Sequence, residues 1–211
     1  MEEIIKIFKK TGVIPIIKLN RIGHAVPLAH ALLNGGILCA EITFRSSVAE
    51  AAIREMGKKV PEILVGAGTV ITIEQAEKAI NAGAKFLVSP GFNPKIVDFA
   101  ISKNIPIFPG VNDPSAIEAA LEKGLTTLKF FPAELSGGYK MLEAFFGPFP
   151  QVQFIPTGGI NISNLVNYLS LSNVLACGGS WLVKPEMMEE NQFEKITKLA
   201  TEANRLVISA N

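Results

Sequence analysis

The chain has 211 residues, of which 48% are hydrophobic and 18% are charged, and its formal net charge is +1. A near-neutral charge without a basic stripe argues against a nucleic-acid-binding protein. No apolar run approaches the roughly 20 residues needed to cross a bilayer, so we also expect no membrane partner.

Short β-favouring runs alternate with longer helical patterns along the whole chain. The first helix is acidic at its start rather than basic, so we expect no signal peptide. Thr72 and Gln75 have the spacing of a helix capping box, and Asp113 precedes a proline at a helix start. The predicted strands cover residues 13–17, 37–43, 63–66, 85–89, 105–108, 125–131, 153–155 and 174–177. The predicted helices cover residues 2–10, 25–33, 48–60, 73–82, 93–102, 114–123, 139–146, 162–169 and 193–208.

Regular strand–helix units of this kind imply a parallel sheet with right-handed crossovers. An open doubly wound sheet usually has fewer strands and is the second choice. Eight units in a chain near the lower size limit favour an α/β protein with a (β/α)8 TIM barrel. No linker or composition break divides the chain, so we predict one domain over residues 1–211 with an additional N-terminal helix.

The run Thr127-Leu-Lys-Phe-Phe-Pro132 in the sixth predicted strand places Lys129 among apolar residues. Burial favours the neutral form of an amine, and a neutral lysine can form a Schiff base with a carbonyl substrate. Alternatively, the stem of Lys129 packs while its ammonium group reaches solvent. Lys18 at the end of the first strand is a competing nucleophile, which we expect to be more exposed.

Successive residues of a strand face opposite sides, and the apolar neighbours of Glu41 and Lys129 suit the outer, helix-covered side. We therefore expect the side chains of Glu41 and Lys129 to point into the barrel. The two residues are therefore either a catalytic pair or a structural ion pair inside the barrel. Arg45 follows at the end of the second strand, where its planar guanidinium suits a substrate carboxylate. These side chains stand at the carboxyl ends of the strands, where barrels carry their chemistry.

Glycine pairs follow the last two predicted strands, in Thr157-Gly158-Gly159 and Gly178-Gly179-Ser180. Such pairs expose backbone N–H groups, and barrels frequently hold a phosphate with these two loops. The sequence therefore predicts a phosphorylated ligand.

The remaining reactive side chains are expected to have structural roles. Cys39 and Cys177 lie in predicted strands and are expected to be small buried side chains of a reduced, cytoplasmic protein. His24 and His30 are interpreted as surface or helix-packing residues, and Trp181 as a packing aromatic. Cysteine and histidine do not cluster, so we predict no metal site and no cofactor.

The motifs at the strand ends together resemble the class I family of 2-keto-3-deoxy-6-phosphogluconate (KDPG) and 4-hydroxy-2-oxoglutarate (KHG) aldolases. The resemblance covers nearly the whole chain. It rests on Glu41-Ile-Thr-Phe-Arg45, Val65-Gly-Ala-Gly-Thr69, Ser89-Pro-Gly91, Leu128-Lys-Phe-Phe-Pro-Ala-Glu134, Pro156-Thr-Gly-Gly159 and Gly178-Gly-Ser-Trp181.

The resemblance implies a role for each matching position. Lys129 matches the Schiff-base lysine, and Glu41 matches the general acid and base. Arg45 and Thr69 match the groups that hold the pyruvyl carboxylate, and Phe131 matches an aromatic beside the reacting carbons. The positions implied at the hydroxyl and phosphate end are Thr157, Gly158, Gly159, Gly179 and Ser180. The resemblance also implies pyruvate and a phosphorylated 2-keto acid as small-molecule substrates, and a homotrimer.

Two loops depart from the family pattern, at Phe92 and at residues 111–114, and both are expected to border the substrate. Conversely, relatives that act on the galactonate-derived epimer tend to carry an aliphatic residue at the position of Thr157, so the resemblance implies that its hydroxyl favours substrates of the gluconate series. Two other functions stay open, namely a barrel epimerase or synthase acting on phosphosugars and a non-catalytic barrel that binds a sugar phosphate.

Overall fold

Helices and parallel strands alternate along residues 1–210, the part of the chain that the computed structural model describes. The helices are α1 (Glu2–Thr11), α2 (Ala25–Asn34), α3 (Ala49–Lys59), α4 (Ile73–Asn81), α5 (Pro94–Ser102), α6 (Pro114–Glu122), α7 (Gly138–Phe146), α8 (Leu165–Leu169), α9 (Pro185–Glu189) and α10 (Phe193–Ala210). The strands are β1 (Val13–Ile17), β2 (Cys39–Thr43), β3 (Leu64–Gly68), β4 (Leu87–Val88), β5 (Ile107–Phe108), β6 (Gly110–Val111), β7 (Thr127–Phe130), β8 (Gln153–Pro156) and β9 (Cys177–Gly179). The predicted α/β class is confirmed.

Two helix starts follow the capping signals in the sequence. The Thr72 hydroxyl accepts a hydrogen bond from the Gln75 N–H at 3.1 Å, and the Gln75 side chain accepts one from the Ile71 N–H at 2.8 Å. At the start of α6, the Asp113 carboxylate accepts a bond from the Ala116 N–H at 2.9 Å. These side chains satisfy amide groups that have no acceptor inside the helix.

Every strand pairs in parallel with its neighbours. One sheet has six strands in the order β5-β4-β3-β2-β1-β9, and a second has three in the order β6-β7-β8. Single parallel bridges, Phe154 to Val174 and Thr157 to Gly178, link the β8 side to the β9 side. Pro109 is the one residue between β5 and β6 and belongs to neither strand. Its carbonyl nevertheless accepts a hydrogen bond from the Lys129 N–H at 3.0 Å.

Four differences from the sequence prediction exceed two residues at the end of an element or add an element. The fifth strand continues past Pro109, which lacks an N–H and interrupts the ladder without ending it. The last strand lies later than predicted, at Cys177–Gly179, and α9 was not predicted. Helix α8 begins only at Leu165, because Asn161 and Asn164 form a hydrogen-bonded turn before it, with the Asn161 N–H donating to the Asn164 amide oxygen at 2.8 Å.

Two apolar clusters flank the strands. The larger lies between the strands and the helices and includes Ala40, Ile42, Leu128 and Phe130, as their predicted outward parity requires. The smaller cluster is enclosed by the strands and includes Phe8, Cys39, Phe86, Phe108 and Ile155. Phe8 comes from α1, and its ring centroid lies 5.0 Å from that of Phe86. Helix α1 therefore covers one end of this inner cluster.

Candidate active site

A cavity of about 250 Å³ opens at the carboxyl ends of the strands. Eight of the ten predicted site residues line it, which brings together positions from across the whole sequence. The lining consists of Ile16, Arg45, Thr69, Pro90, Lys129, Phe131, Thr157, Gly158, Gly159, Ile160, Gly178 and Ser180.

Lys129 lines this cavity and forms a buried pair with Glu41, which is not itself among the lining residues. Lys129 Nζ lies 3.8 Å from Glu41 Oε1, and the two residues are only 6% and 4% exposed. Lys129 therefore does not reach solvent in the way that the alternative interpretation required. The ring centroid of Phe131 lies 5.2 Å from the same Nζ atom.

The Glu41 carboxyl has an unusual environment for an acid. Burial raises the pKa of Glu41 above its ordinary value of 4.5, and the charges of Lys129 and Arg45 oppose that rise. Its Oε1 atom is buried and has no hydrogen-bond partner within residues 1–210. A buried carboxyl with a raised pKa and a free oxygen is suited to accepting and returning protons during a reaction.

The neighbouring strand leaves room for this carboxylate. Glu41 on β2 pairs with Gly66 on β3, and Gly68 lies two residues further along the same face. A Cβ atom at Gly68 would collide with Glu41 Oε1. The absence of a side chain at Gly68 therefore allows Glu41 to lie in its observed position.

Arg45 is held by its own strand at the mouth of the cavity. Its Nε donates to the Thr43 hydroxyl at 3.2 Å, and that hydroxyl donates to the Ile17 carbonyl at 2.8 Å. The terminal guanidinium nitrogens make no hydrogen bond within residues 1–210, so they remain available to a carboxylate ligand.

Thr69 has a left-handed backbone, with φ 54°. This conformation is rare for a β-branched residue and costs on the order of 1–3 kcal/mol. Such strain clusters at functional sites, and Thr69 lies on the cavity wall beside Arg45 and Pro90.

The loop after β8 carries the two consecutive glycines of the predicted phosphate end. Gly158 and Gly159 have φ of 99° and 84°, a region that other residues adopt only under strain. Opposite them, Thr157 is 6% exposed and its hydroxyl donates to the Ile155 carbonyl at 3.3 Å.

Comparison with known proteins gives a consistent result. The profile of the KDPG and KHG aldolase family matches residues 4–199. The chain belongs to this aldolase family. It is 45% identical to the 2-dehydro-3-deoxy-phosphogluconate aldolase of Treponema pallidum, over 98% of this chain and 99% of that protein. It is 46% identical to the KHG/KDPG aldolase of Escherichia coli, over 90% of each chain.

Solved aldolase structures have the same fold. The KDPG aldolase of Legionella pneumophila, with pyruvate captured as a covalent carbinolamine, has a TM-score of 0.90 and 42% identity, covering 93% of this chain and 96% of that one. The Zymomonas mobilis enzyme with 3-phosphoglycerate has a TM-score of 0.89 and 37% identity, covering 97% and 96% of the two chains.

Two of the ten predicted residues of this aldolase, Glu41 and Gly179, are not among the lining residues, and some lining residues were not predicted. Gly178 lines the cavity, whereas the next strand residue, Gly179, faces the other side, where the ring of Trp181 fills the position of a Cβ. Ile16, Pro90 and Ile160 were not predicted. Pro90 and Gly178 did belong to recognised motifs, so the motif was the signal that could have identified them.

The two divergent loops do not border the cavity as expected. Phe92 lines a smaller neighbouring cavity that shares Pro90 with this one. Residues 111–114 contribute a strand end and the Asp113 cap of α6, and they are not among the lining residues.

The other reactive groups of the aldolase lie away from this cavity. Lys18 is more exposed than Lys129, as predicted, and does not line it. His24 packs against Phe193 and His30 is exposed. Both cysteines are free and buried, and burial raises the pKa of Cys39 to about 12.

Two further features are missing from residues 1–210. No three His, Cys, Asp or Glu side chains in this range are grouped so that they could hold a metal ion. In the same range, no helix has the length and apolar character needed to cross a membrane.

Proposed function

We propose that the protein is a class I aldolase that cleaves KDPG reversibly to pyruvate and glyceraldehyde 3-phosphate. We include KHG, cleaved to pyruvate and glyoxylate, as a second substrate. The observation that carries this proposal is the buried Lys129 amine, 3.8 Å from Glu41 Oε1, on the wall of a cavity that also holds Arg45 and the glycine loop. A phosphosugar epimerase, a synthase or a binding barrel has no need of such an amine.

The cavity offers two ends for a phosphorylated 2-keto acid. Arg45 and Thr69 bind the carboxylate, so the keto carbon lies beside Lys129 and the ring of Phe131. The opposite end is formed by Thr157, Gly158, Gly159 and Ser180. Together with Gly179, which does not line the cavity, they bind the hydroxyl and phosphate groups. Gly179 acts there through its backbone.

The reaction begins with addition of the Lys129 amine to the C2 carbonyl. Glu41 gives a proton to the carbinolamine hydroxyl, which leaves as water, and a protonated imine forms. Because that imine accepts electrons, the C3–C4 bond can break with its electron pair moving into an enamine. Glu41, acting through a water molecule, takes the proton from the C4 hydroxyl, and the aldehyde product leaves.

The second product is released by reversing the first steps. The enamine carbon takes a proton from Glu41, which regenerates the imine of pyruvate. Water then hydrolyses this imine and frees Lys129. The carbinolamine captured in the Legionella pneumophila aldolase supports this order of steps for a relative that is 42% identical.

Borohydride reduction in the presence of pyruvate tests the proposal. We expect a reduced pyruvyl adduct on the peptide containing Lys129, and none in a Lys129→Ala variant. Lys18→Ala is the matched control and retains the adduct. Removing the nucleophile lowers kcat by on the order of 10³-fold or more. Full KDPG cleavage by protein whose Lys129 stays unmodified would exclude the mechanism.

We further propose a complete (β/α)8 barrel formed as one domain, with α1 as an additional helix that covers its base. The parallel bridges between the two sheets and the short break at Pro109 support a closed ring. A homotrimer follows from the family resemblance, and its mass in light scattering tests it. A reducing, cytoplasmic location is supported by the two free cysteines.

A further inference from the structure

A tyrosine outside the cavity is hydrogen-bonded to the loop that precedes α7. Tyr168 on α8 is fully buried, and its hydroxyl donates to the Glu134 carboxylate. Burial, followed by the hydrogen bond to Glu134 and its charge, raises the pKa of Tyr168, so the hydroxyl stays protonated as a donor. Neither residue lines the cavity, and the chemistry proposed above uses neither.

Glu134 in turn packs against the glycine loop. A Cβ atom at Gly159 would collide with the Cβ and Cγ atoms of Glu134, so the aliphatic stem of Glu134 lies directly against the Gly159 backbone. The backbone pairs in the same place. The Ala133 N–H donates to the Thr157 carbonyl at 2.7 Å, and the Glu134 N–H donates to the Gly158 carbonyl at 3.1 Å.

These bonds determine where the amide hydrogens of the loop point. In a trans peptide the N–H and C=O groups point in opposite directions. Because the Thr157 and Gly158 carbonyls face Ala133 and Glu134, the N–H groups of Gly158 and Gly159 point away from that loop. No acceptor within residues 1–210 takes these two N–H groups.

The Gly159 carbonyl is fixed separately. It accepts hydrogen bonds from the side-chain amides of Asn161 and Asn164, each at 3.1 Å. Successive N–H groups that are held in this way form a concave donor set for an anion. The loop that carries these donors is therefore fixed by contacts to residues that do not line the cavity.

We propose that Tyr168 and Glu134 are positioning residues that hold the Gly158–Gly159 amides in place for the phosphate of the substrate. This inference rests on the proposed function. Without the Tyr168 hydroxyl, the Glu134 side chain loses its anchor, and the stem that packs on Gly159 becomes free to move. Binding of the substrate phosphate is then weakened, whereas Lys129 and Glu41 keep their geometry.

The test compares Tyr168→Phe with the unaltered enzyme on two substrates, one with a phosphate and one without. We expect KM for KDPG to rise about tenfold, the effect of about one lost charge-assisted hydrogen bond. Inhibition of KHG cleavage by inorganic phosphate weakens by a similar factor. The kcat/KM for KHG and the borohydride labelling of Lys129 stay within about twofold, because neither depends on the phosphate donors.

Three further variants separate positioning from general stability. Tyr139→Phe is the matched control, since Tyr139 stacks edge-on against Tyr168 but its hydroxyl makes no hydrogen bond in residues 1–210. Glu134→Ala, at an exposed position, reproduces the loss even if Tyr168→Phe folds poorly. Glu134→Gln keeps an oxygen acceptor and restores most of the KM. Adding Tyr168→Phe to Glu134→Ala has little further effect, because the two residues act as a unit.

The outcomes distinguish this inference from the proposed function. Equal losses on both substrates, or unchanged KM and phosphate inhibition in Tyr168→Phe and Glu134→Ala, would overturn the positioning role. Failure of the unaltered enzyme to cleave KDPG or to form the Lys129 adduct would overturn the proposed function instead.

Discussion

The carboxylate of Glu41 occupies the space that a side chain at Gly68 would need. The two residues stand on adjacent parallel strands, β2 and β3, and face the same interior. This relationship places the acid 3.8 Å from the Lys129 amine without any hydrogen bond to the Glu41 Oε1 atom from residues 1–210. The position of Glu41 therefore depends on the absence of a side chain at Gly68.

Replacing Gly68 by alanine tests this relationship. The added methyl group displaces the Glu41 carboxylate, and we expect kcat for aldol cleavage to fall about 100-fold, since small displacements of catalytic groups have effects of this size. Gly57→Ala is the matched control, because nothing lies within 4 Å of a Cβ at that helical position. That variant keeps full activity and gains about 0.5–1 kcal/mol of stability. Equal activity in the two variants would show that Glu41 does not need this space.

The raised pKa of Glu41 predicts an unusual dependence of stability on pH. A folded-state pKa above the unfolded value contributes stability that is fully present below the unfolded pKa and is lost as pH rises through the folded pKa. Burial is the leading cause of the rise from 4.5. We expect the unaltered protein to lose stability, relative to Glu41→Gln, as pH rises from below 4.5 towards neutrality.

The measurement is the difference in Tm between Glu41→Gln and the unaltered protein across that pH range. The difference grows in favour of the glutamine variant as pH rises, although that variant loses aldolase activity. A difference that stays constant, or that reverses, contradicts a raised pKa at this position.

Much of this site could be predicted from the sequence because it depends on local patterns. The alternation of residues along each strand is enough to predict that Glu41 and Lys129 both point into the barrel. The capping signals at Thr72 and Asp113 predict where two helices begin. The site motifs also follow one another at the ends of successive predicted strands, which made the family resemblance recognisable.

Other features depend on register and on distant packing. The role of Gly68 follows from its pairing across β2 and β3, which no local pattern reveals. Tyr168 and Glu134 are 34 residues apart in sequence, and their hydrogen bond exists only once α8 packs beside the loop before α7. Gly178 and Gly179 could not be distinguished, because the register of β9 against β1 and the bridge from Thr157 to Gly178 decide which of them faces the cavity.

Phe8 provides a test of the role of α1. Its ring is fully buried in the inner cluster against Phe86 and Phe108. We expect Phe8→Ala to lower the free energy of unfolding by about 3–5 kcal/mol, through lost burial and the resulting cavity. Urea denaturation measures this loss. Phe146→Ala, at a position that is 47% exposed, is the control and costs under about 1 kcal/mol. Similar losses in the two variants would mean that α1 does not stabilise the inner cluster.

Thr69 allows strain and function to be separated. Asparagine tolerates the left-handed region better than threonine, so Thr69→Asn gains about 1 kcal/mol of stability. We expect its kcat/KM for KDPG to fall about tenfold, because the hydroxyl at the carboxylate end is lost. Asn104 has the same φ of 54° and is exposed. Asn104→Thr is thus the reciprocal control, which loses stability and keeps activity. A Thr69→Asn variant that is less stable than the parent argues against stored strain.

We expect Thr157 to distinguish the two configurations at C4 of the substrate. It lines the cavity, is 6% exposed, and has its hydroxyl 3.3 Å from the Ile155 carbonyl. Valine has the same shape without the hydroxyl, so Thr157→Val removes one hydrogen bond to the substrate and leaves the packing intact. We expect the preference for the gluconate-series substrate over its C4 epimer to fall about tenfold, as one hydrogen bond warrants.

The measurement is the ratio of kcat/KM for the two epimers, which cancels any general loss of active enzyme. Thr197→Val on α10 is the matched control, since its hydroxyl bonds to the Ala31 carbonyl at 3.0 Å, away from the cavity. That variant keeps the parental ratio. An unchanged ratio in Thr157→Val, or an equal fall in kcat/KM for both epimers, contradicts the role of Thr157 in selecting the substrate, because a hydroxyl that reads one configuration must affect the two epimers differently.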